Sequence, residues 1–441
     1  MKGESGETLH ARRAAREDPS SMAVDTPAKI AVIGAGPIGL EAALYARFLG
    51  YDVELFDAGD VAENVQRWGH VRLFSPFRMN STPLGLGALA AQDEAYAPPP
   101  PDALLTGAEW ARRYLVPLSQ TDLLADHLRL HTRVVAVARE DWLKHEHVGN
   151  EERRESLFRL LVRNPDGEER ETTADVVIDA SGVYATPRWL GPGGAPALGE
   201  LACRERMFYG LPDIAGRERS RFAQRRVLVV GGGYSAATSV LALADLAKST
   251  SSGSVVWAVR APADADGRGP LVEIPDDPLS ERASLVRRAN EAALGAEPVT
   301  WWPGTVVVAL RYDTSTRTFH VTTRGSHAAD ETFDEVIANV GFRPDHSLAT
   351  ELQLHTCYAT DGPMKLAARL QGTTGDCLRQ TSHGAESLLN PEPDFYILGA
   401  KSYGRNPEFL ASIGYRQIRD LFSLIGERET LDLYQGDERW A

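Results

Sequence analysis

Two parts of the chain repeat the same order of apolar and polar positions. Lys29–Ile33 and Arg226–Val230 are short apolar runs, and each runs into a glycine-rich turn followed by a stretch of helical periodicity. A second apolar run follows each helix, at Asp52–Phe56 and Val255–Val259. This order of strand, turn, helix and strand indicates parallel strands joined by crossover helices. The chain is therefore predicted to be α/β.

The rest of the chain carries weaker patterns. They predict helices at Pro37–Leu49, Gly107–Leu128, Tyr234–Lys248 and Pro407–Leu424, and strands at His131–Arg139, Leu157–Arg163, Glu168–Thr173, Asp175–Ala180, Thr305–Leu310, Thr318–Thr323, Asp334–Asn339 and Phe395–Leu398. The strands on either side of the NPDG turn at 164–167 are expected to form a hairpin. The polar, proline-rich stretch Ala58–Thr106 is expected to be an irregular loop.

The first glycine-rich turn, GAGPIG, has the form of a dinucleotide-binding turn and contains Pro37. Gly34 permits the tight bend, Gly36 lets the backbone approach a pyrophosphate, and Gly39 lets helix and strand pack closely. The pyrophosphate then lies at the helix N-terminus, where free N–H groups favour negative charge. Asp57 ends the second strand about 20 residues further on, where a carboxylate can accept hydrogen bonds from a ribose.

The second turn, GGGYSA, keeps Gly231 and Gly233 and has Ala236 in the third place, an accepted variant. Its second strand ends in Arg260 instead of an acid. Arginine attracts a 2′-phosphate, so this turn is predicted to favour NADPH over NADH. Two dinucleotides held by one chain usually exchange a hydride, which points to redox chemistry.

Amino-acid composition and net charge limit the classes of partner that this chain is expected to bind. The net charge of -14 and the lack of a basic stripe argue against nucleic acid and anionic membrane surfaces. No apolar run approaches the ~20 residues that span a bilayer. Three cysteines without a close pair suit a reducing cytoplasm and exclude a local CxxC centre. The pair His145 and His147 fits a solvated surface better than a metal site, so no metal is predicted.

Four segments in fixed order carry a family resemblance: GAGPIG, DVVIDASGVYATP (175–187), GGGYSA and DEVIANVGFRPD (334–345). The chain resembles the flavoproteins with two dinucleotide-binding domains, the group that contains flavin-containing monooxygenases and thioredoxin-reductase-like enzymes. The second and fourth segments resemble that group's ATG-type crossovers between domains. They depart from it in having Ser181 where threonine is usual, and Asn339-Val340 before Gly341.

The resemblance implies two Rossmann-like domains, with an NADPH domain inserted into a discontinuous FAD domain. The expected boundaries are a disordered tail at 1–27, the first part of the FAD domain at 28–190, a crossover at 191–221, the NADPH domain at 222–330 and the second part of the FAD domain at 331–441. The tail has no apolar segment of the secretory type, and Met22 is an alternative start.

The resemblance also assigns cofactor residues, with Val134 expected to meet the adenine edge through its backbone. It implies FAD at Gly34, Gly36, Pro37, Gly39, Asp57 and Val134, NADPH at Gly231, Gly233, Ser235 and Arg260, and cofactor contacts at the crossover residues Ser181, Gly182 and Gly341. At the C-terminal return to the flavin, Gly399-Ala400 replaces the usual Gly-Asp, so Lys401 and Ser402 are expected to substitute. The alternative at these last positions is a surface loop that precedes a helix.

The segment RWGHVRLFSPFRMNSTP (67–83) resembles the part of flavin monooxygenases that lies near the isoalloxazine. By that resemblance Trp68 is expected to pack at the flavin, and Asn80 to hydrogen-bond the flavin C4a-oxygen adduct. Plain loop packing is the alternative for both. The FxGxxxH fingerprint of monooxygenases is missing from the corresponding stretch, MFYGLPDIAG (207–216).

The resulting hypothesis is an FAD-dependent, NADPH-using monooxygenase in the cytoplasm. NADPH would reduce the flavin at N5, and O2 would then form a C4a-(hydro)peroxyflavin that oxygenates a small molecule. One alternative is an NADPH-dependent reductase or dehydrogenase that passes electrons to a quinone, a protein or another small acceptor. Another is a non-catalytic dinucleotide-binding sensor. Substrate identity and oligomeric state stay open.

Overall fold

The structure is a computed structural model that describes residues 23–264, 266–371, 378 and 382–435. Its strands, in chain order, are β1 (Lys29–Ile33), β2 (Asp52–Phe56), β3 (Leu128–Arg129), β4 (Arg133–Arg139), β5 (Phe158–Arg163), β6 (Glu169–Ala174), β7 (Val176–Asp179), β8 (Arg226–Val230), β9 (Ser254–Ala258), β10 (Val299–Trp302), β11 (Thr305–Asp313), β12 (Thr318–Gly325), β13 (Asp330–Phe333), β14 (Glu335–Ala338) and β15 (Phe395–Ile397).

The described α-helices connect and cover these strands. They are α1 (Pro37–Phe48), α2 (Glu63–Arg67), α3 (Pro83–Gln92), α4 (Gly107–Trp110), α5 (Val116–Ser119), α6 (Glu200–Cys203), α7 (Arg219–Phe222), α8 (Tyr234–Thr250), α9 (Ser280–Leu294), α10 (Met364–Leu370) and α11 (Ala411–Ile425).

The first sheet is parallel, with strand order β15-β7-β1-β2-β3. Its central strand β1 is apolar along its length because both of its faces are covered. On one face Val32 and Ile178 pack with α1 and α11. On the other face Ile33 packs with Phe158 of the antiparallel sheet β4-β5-β6. This first sheet needs β15, so it is built from both ends of the chain.

The second sheet is also parallel, with strand order β10-β9-β8-β14. Its apolar faces are covered on one side by α8 and α9 and on the other by the antiparallel sheet β11-β12-β13. The predicted α/β fold with two Rossmann-like units, one of them inserted within the other, is confirmed.

Strand β14 pairs with β8 of the second sheet, from Glu335 opposite Val227 to Ala338 opposite Val230. The second unit thus extends past residue 330, where the sequence placed its end. The pairing follows from the apolar run Val336–Ala338, which is buried on both faces. The other boundaries stay predictions.

Most of the predicted tail, residues 1–22, lies outside the described residues. Its last part packs on the protein: Val24 is buried, and its N–H donates to the carbonyl of Ile425 at the end of α11 at 2.8 Å.

The prediction of an irregular loop at Ala58–Thr106 is wrong in part, because α2 and α3 lie within it. Helix α3 begins with a clear signal. Thr82 is its N-cap and accepts a hydrogen bond from the N–H of Gly85 at 2.8 Å, and Pro83 occupies the first turn. Threonine followed by proline is a common helix start that the proline-rich composition obscured.

The prediction of one helix at Gly107–Leu128 is also wrong in part. Helix α4 passes through a π-helical segment, Ala111–Leu115, into α5, which ends at Ser119. Pro117 has no N–H to donate to the preceding turn. The carbonyl of Arg113 accepts instead from the hydroxyl of Tyr96 at 3.0 Å.

A buried charge network joins the β4-β5-β6 sheet to the segment before β15. Arg139 Nε donates to Glu392 Oε1 at 2.7 Å, and Arg153 Nη2 donates to Glu392 Oε2 at 2.9 Å, with all three side chains 0% exposed. Arg153 Nε also donates to the Glu392 carboxylate, and other guanidinium donors reach the backbone carbonyls of Ser156 and Leu143. This network fixes the position at which the C-terminal part of the chain returns to the first sheet.

Candidate dinucleotide-binding sites

The first glycine turn lies at the carboxyl edge of the first sheet, between β1 and α1. Gly34 has φ +105°, and a Cβ there would lie 2.7 Å from the carbonyl oxygen of Ala180. A Cβ on Gly39 would lie 1.7 Å from the carbonyl oxygen of Gly34. Around Gly36 no heavy atom comes within 4 Å of such a Cβ. The turn is therefore tightly packed behind and open in front, as a backbone that approaches a pyrophosphate requires.

Asp57 lies beside this turn, one residue after β2. Its Oδ2 accepts from the N–H of Ala35 at 2.6 Å, and its Oδ1 accepts from the N–H of Gly59 at 2.8 Å. The carbonyl of Asp57 accepts from the N–H of Thr132 at 2.7 Å, which brings the start of β4 alongside. Val134 is therefore close to Asp57, although its own side chain is buried against Phe158 and neighbours. The structure brings together the residues predicted for the adenosine half of FAD.

The second glycine turn repeats this arrangement between β8 and α8. Gly231 has φ +142°, and a Cβ there would lie 2.1 Å from the carbonyl oxygen of Asn339. Gly233 again faces open space, and Ser235 in the first turn of α8 is exposed. Buried Trp257 donates from Nε1 to the carbonyl of Gly231 at 2.7 Å and fixes the bend.

Both helices that follow these turns begin without a side-chain cap. The N-cap residues are Gly36 and Gly233, which have no side chain that could accept from the helix N–H groups. Neither first turn contains an acidic residue. The first N–H groups of a helix have no intrahelical acceptor, and the helix dipole adds partial positive charge. Open glycines and uncapped N–H groups fit the pyrophosphates of FAD and NADPH.

The two crossovers between the sheets are hydrogen-bonded to each other. The N–H of Arg188 donates to the carbonyl of Gly341 at 2.9 Å, and the N–H of Arg343 donates to the carbonyl of Thr186 at 3.0 Å. The rings of Tyr184 and Phe342 meet edge to face, with centroids 4.9 Å apart. Segments 181–188 and 341–343, called here the crossover ribbon, therefore form one antiparallel connection.

A buried polar cluster underlies the start of the crossover ribbon. Lys401 Nζ lies 2.6 Å from Asp179 Oδ2, with both side chains 1% exposed. The same ammonium donates to the hydroxyl oxygen of Ser181 at 3.0 Å, and Ser181 donates from Oγ to Asp179 Oδ1 at 2.6 Å. Ser402 lies next to Lys401 and donates to the carbonyl of Gly399 at 2.7 Å. Four residues predicted for the flavin half of the site thus lie together, and the last predicted residue, Gly182, directly follows Ser181, which is exposed.

Trp68 and Asn80, the predicted catalytic residues, have different surroundings. The Trp68 ring packs against Gly107, where a Cβ would come within 2.6 Å of it. Its Nε1 is shielded from solvent and has no acceptor among the described residues. Asn80 is 3% exposed, and its amide nitrogen donates to the carbonyls of Ser75 and Pro76 at 3.1 and 2.9 Å. Asn80 thus holds its own turn, and its contact with the flavin adduct stays a prediction.

The segment that contains Trp68 and Asn80 reaches the second unit. Phe74 meets Tyr234 of α8 edge to face, with ring centroids 5.6 Å apart. His70 approaches the backbone of Pro212 in the predicted crossover region. Partial burial lowers the pKa of His70 below its ordinary value. The charge of Asp213 and the hydrogen bond to the backbone of Pro212 offset part of this change in pKa. The segment 67–83 therefore reaches from the first unit to the start of α8, the helix that follows the second glycine turn.

A carboxyl group is buried beneath the first turn, in the helix that follows it. Glu41 is 1% exposed, and its Oε1 accepts from the hydroxyl of Tyr434 at 3.0 Å. Burial raises the pKa of Glu41 to about 7, and the hydroxyls of Thr82 and Tyr434 lower it in part. The C-terminal segment that carries Tyr434 also donates from the N–H of Leu433 to the hydroxyl of Tyr45 at 3.1 Å.

Arg260 and Gly341 are exposed at the carboxyl edge of the second sheet. No ion pair involves Arg260 within the part of the chain that the structure describes, which leaves its guanidinium free for a phosphate. Three residues that support the site, Trp257, Asn339 and Asp179, were not predicted to do so. Asp179 and Asn339 had a readable signal, since each is a polar residue at the end of an apolar run, whereas Trp257 had none.

Among the described residues, no helix has the length and apolar character to cross a bilayer. No group of three or more His, Cys, Asp or Glu side chains among them is placed to hold a metal ion.

The protein has two parallel sheets, each with an open glycine turn followed by an uncapped helix, and a paired crossover joins them. These features define a flavoprotein oxidoreductase with two dinucleotide-binding units. The sequence profile of the pyridine nucleotide-disulphide oxidoreductase family matches residues 88–371, and the chain belongs to that family. The predicted resemblance is confirmed, and the cofactors are FAD and NADPH.

Three proteins are similar to this chain in sequence or in structure. A ferredoxin–NADP reductase from Streptococcus equi subsp. zooepidemicus is 27% identical over 220 residues, which cover 50% of this chain and 52% of that protein. The chain therefore matches about half the length of this relative.

The other two are solved structures. Bacillithiol disulfide reductase Bdr (YpdA) from Bacillus cereus has a TM-score of 0.62 at 18% identity, covering 91% of this chain and 99% of that one. A variant flavin monooxygenase from Stenotrophomonas maltophilia has a TM-score of 0.55 at 21% identity, covering 91% and 98%. At these identities the two likenesses show the fold alone.

Proposed function

We propose that this protein oxidises NADPH through bound FAD and that the reduced flavin delivers electrons to O2, so that the protein is a monooxygenase of a small molecule. The observation that carries the proposal is the contact of segment 67–83 with the helix after the second glycine turn, where Phe74 meets Tyr234. When bound, FAD supplies the redox chemistry, and the protein supplies orientation and exclusion of water.

The residues divide into three groups by the part of the cofactors that they would hold. Gly34, Gly36, Pro37, Gly39, Asp57 and Val134 would hold the pyrophosphate and adenosine of FAD; Ser181, Gly182, Gly399, Lys401 and Ser402 would hold its flavin half; Gly231, Gly233, Ser235, Arg260 and Gly341 would hold NADPH. The open fronts of Gly36 and Gly233 and the free guanidinium of Arg260 support this division.

The cysteines argue against a disulphide as the electron acceptor. The sequence has no CxxC pair, and the two described cysteines, Cys203 and Cys357, are buried and not joined.

The Nε1 of Trp68 is a buried donor without an acceptor among the described residues. A buried donor without an acceptor costs free energy, so it is suited to a ligand atom. We infer that Trp68 donates to the flavin or to the bound substrate.

The second candidate is an NADPH-dependent reductase that passes electrons to a quinone, a protein or another small acceptor. The hydrogen bonds of Asn80 favour it, because its amide donors already bind backbone carbonyls. In that case the segment 67–83 serves to shape the flavin pocket, and no residue in it needs to contact an oxygen adduct of the flavin.

A rapid-mixing experiment separates the candidates. The FAD-loaded protein is reduced by NADPH without air, O2 is then admitted, and the visible and near-ultraviolet absorbance of the flavin is followed. A transient species distinct from oxidised and reduced flavin supports the monooxygenase. Direct return to oxidised flavin, with fast turnover of a dye acceptor, supports the reductase. A flavin that NADPH does not bleach overturns both and leaves a non-catalytic protein.

A further inference from the structure

Three arginines from separate parts of the chain meet at the cleft between the two units. Arg188 belongs to the crossover ribbon, Arg405 follows the Lys401 cluster, and Arg260 follows β9. Arg188 Nη2 donates to the carbonyl of Arg405 at 3.0 Å, and its Nε donates to the carbonyl of Phe342 at 3.2 Å. These bonds hold the partly buried Arg188 guanidinium at the ribbon.

The cluster has more positive than negative charge. Burial lowers the pKa of Arg188, and the nearby guanidinium groups of Arg405 and Arg260 lower it further. Asp361 is the carboxylate that opposes them, and it is already engaged by Arg405 Nε at 2.6 Å. In a chain of net charge -14, this local excess of positive charge is stabilised when an anion lies among the arginines.

Strand order identifies the anion. In the second sheet β8 lies between β9 and β14, so the turn Gly231–Gly233 is flanked by the residues that follow those two strands. Arg260 follows β9 on one side. On the other side Gly341 follows β14, and its carbonyl accepts from the N–H of Arg188 at 2.9 Å. Arg188 and Arg260 therefore stand on opposite sides of the turn that receives the nucleotide pyrophosphate.

We propose that Arg188, assisted by the charge of Arg405, binds the pyrophosphate of the nicotinamide nucleotide, whereas Arg260 binds only the 2′-phosphate. The inference rests on the proposed function, since it concerns the same nucleotide. Arg188 belongs to the crossover ribbon and donates to the carbonyl of Arg405, which follows Lys401 in the chain. Binding through Arg188 thus draws the nucleotide against both units, and it acts equally on NADPH and NADH.

Two probes separate the two arginines. ADP-ribose carries the pyrophosphate without a 2′-phosphate, and 2′-AMP carries the 2′-phosphate without a pyrophosphate. The FAD-loaded wild type is compared with Arg188→Gln and Arg260→Ala by competition of each probe against NADP⁺. Loss of one charge-assisted contact is expected to weaken binding about tenfold or more. Arg188→Gln should weaken ADP-ribose alone, and Arg260→Ala should weaken 2′-AMP alone.

Other outcomes contradict the inference. Unchanged ADP-ribose binding in Arg188→Gln removes Arg188 from the pyrophosphate site, and weakened 2′-AMP binding would assign it to the 2′-phosphate. Arg405→Gln retains the backbone carbonyl that Arg188 uses, so it provides a second variant if Arg188→Gln loses FAD. It should weaken ADP-ribose more than 2′-AMP, and equal effects would overturn the role of the cluster. A wild type that binds neither probe nor NADP⁺ would overturn the proposed function itself.

Discussion

The pair formed by Lys401 and Asp179 is buried next to the start of the crossover ribbon, each side chain being 1% exposed. Transfer of both charges out of water costs several kcal/mol per ion, which the attraction offsets only when the other polar atoms are satisfied. Ser181 meets that need, because it accepts from the ammonium and donates to the carboxylate. An apolar pair would be as stable, so the burial of charge here agrees with the cofactor role proposed for Lys401 and Ser181.

Arg260 allows a direct test of nucleotide choice. Arg260→Ala is expected to raise the KM for NADPH about tenfold or more and to leave the KM for NADH nearly unchanged, because only NADPH carries the 2′-phosphate. Steady-state kinetics with both nucleotides measure the difference. Arg268→Ala is the matched control in the same loop, since Arg268 is already paired with Asp264 and Asp266. Equal changes with NADPH and NADH would remove Arg260 from the phosphate site.

Glu41 predicts a dependence of stability on pH. Burial raises its pKa in the folded protein from 4.5 to about 7. Between these values the folded state keeps a proton that the unfolded state has lost, so stability falls as pH rises from about 4.5 to 7 and then levels off. Glu41→Gln should remove this fall, which is on the order of 3 kcal/mol.

Urea unfolding of the wild type and Glu41→Gln at pH 5 and pH 8 measures this effect. The variant should gain stability relative to the wild type at pH 8 and gain little at pH 5. A difference between the two proteins that is the same at both pH values would show that Glu41 does not titrate in this range.

At the scale of elements, seven strands of the parallel sheets were predicted within one residue because they are apolar runs, namely β1, β2, β7, β8, β9, β14 and β15. The other two, β3 and β10, were not predicted. Strands β1, β2 and β8 have the predicted bounds. Helices α2, α3 and α9 were not predicted. Helix α2 is short, α9 is rich in polar residues, and α3 contains two glycines within a proline-rich stretch. Their stability comes from tertiary packing that a single sequence does not display.

The site shows the same division. The glycines and Asp57 follow from local spacing, whereas the bonds of Asn80 and the approach of Arg188 to Arg405 depend on how distant segments pack. Such contacts join residues far apart in the chain, as in the pair Arg188 and Arg405, which are 217 positions apart.

Helix α3, which begins at the end of segment 67–83, provides a test at the scale of a single element. Thr82→Val keeps the shape of the side chain and removes the oxygen that accepts from Gly85 N–H, so the free energy of unfolding should fall by about 1 to 2 kcal/mol. Thr82→Ser keeps that oxygen and should lose much less. Thermal or urea unfolding distinguishes them, and equal losses in both variants would show that packing of the methyl group dominates.

At the scale of the whole molecule, distant parts of the chain are joined by the network around Glu392. Glu392→Gln leaves two buried guanidinium groups without their counter-charge, so the free energy of unfolding should fall by about 3 to 5 kcal/mol. Glu169→Gln removes a carboxylate that pairs with Arg163 at the exposed surface of the same antiparallel sheet, and it should change stability little. Losses of similar size in the two variants would contradict the importance of the buried network.

The return of the chain end to the first sheet has a consequence for biosynthesis. Strand β15 completes that sheet, and Tyr434 covers Glu41 in its first helix. The second sheet needs only residues 226–338, one uninterrupted stretch. As the nascent chain leaves the ribosome, the inserted unit can close while the outer one still lacks a strand. The unit whose synthesis starts first is thus finished last, and FAD finds its complete pocket only after β15 has been made.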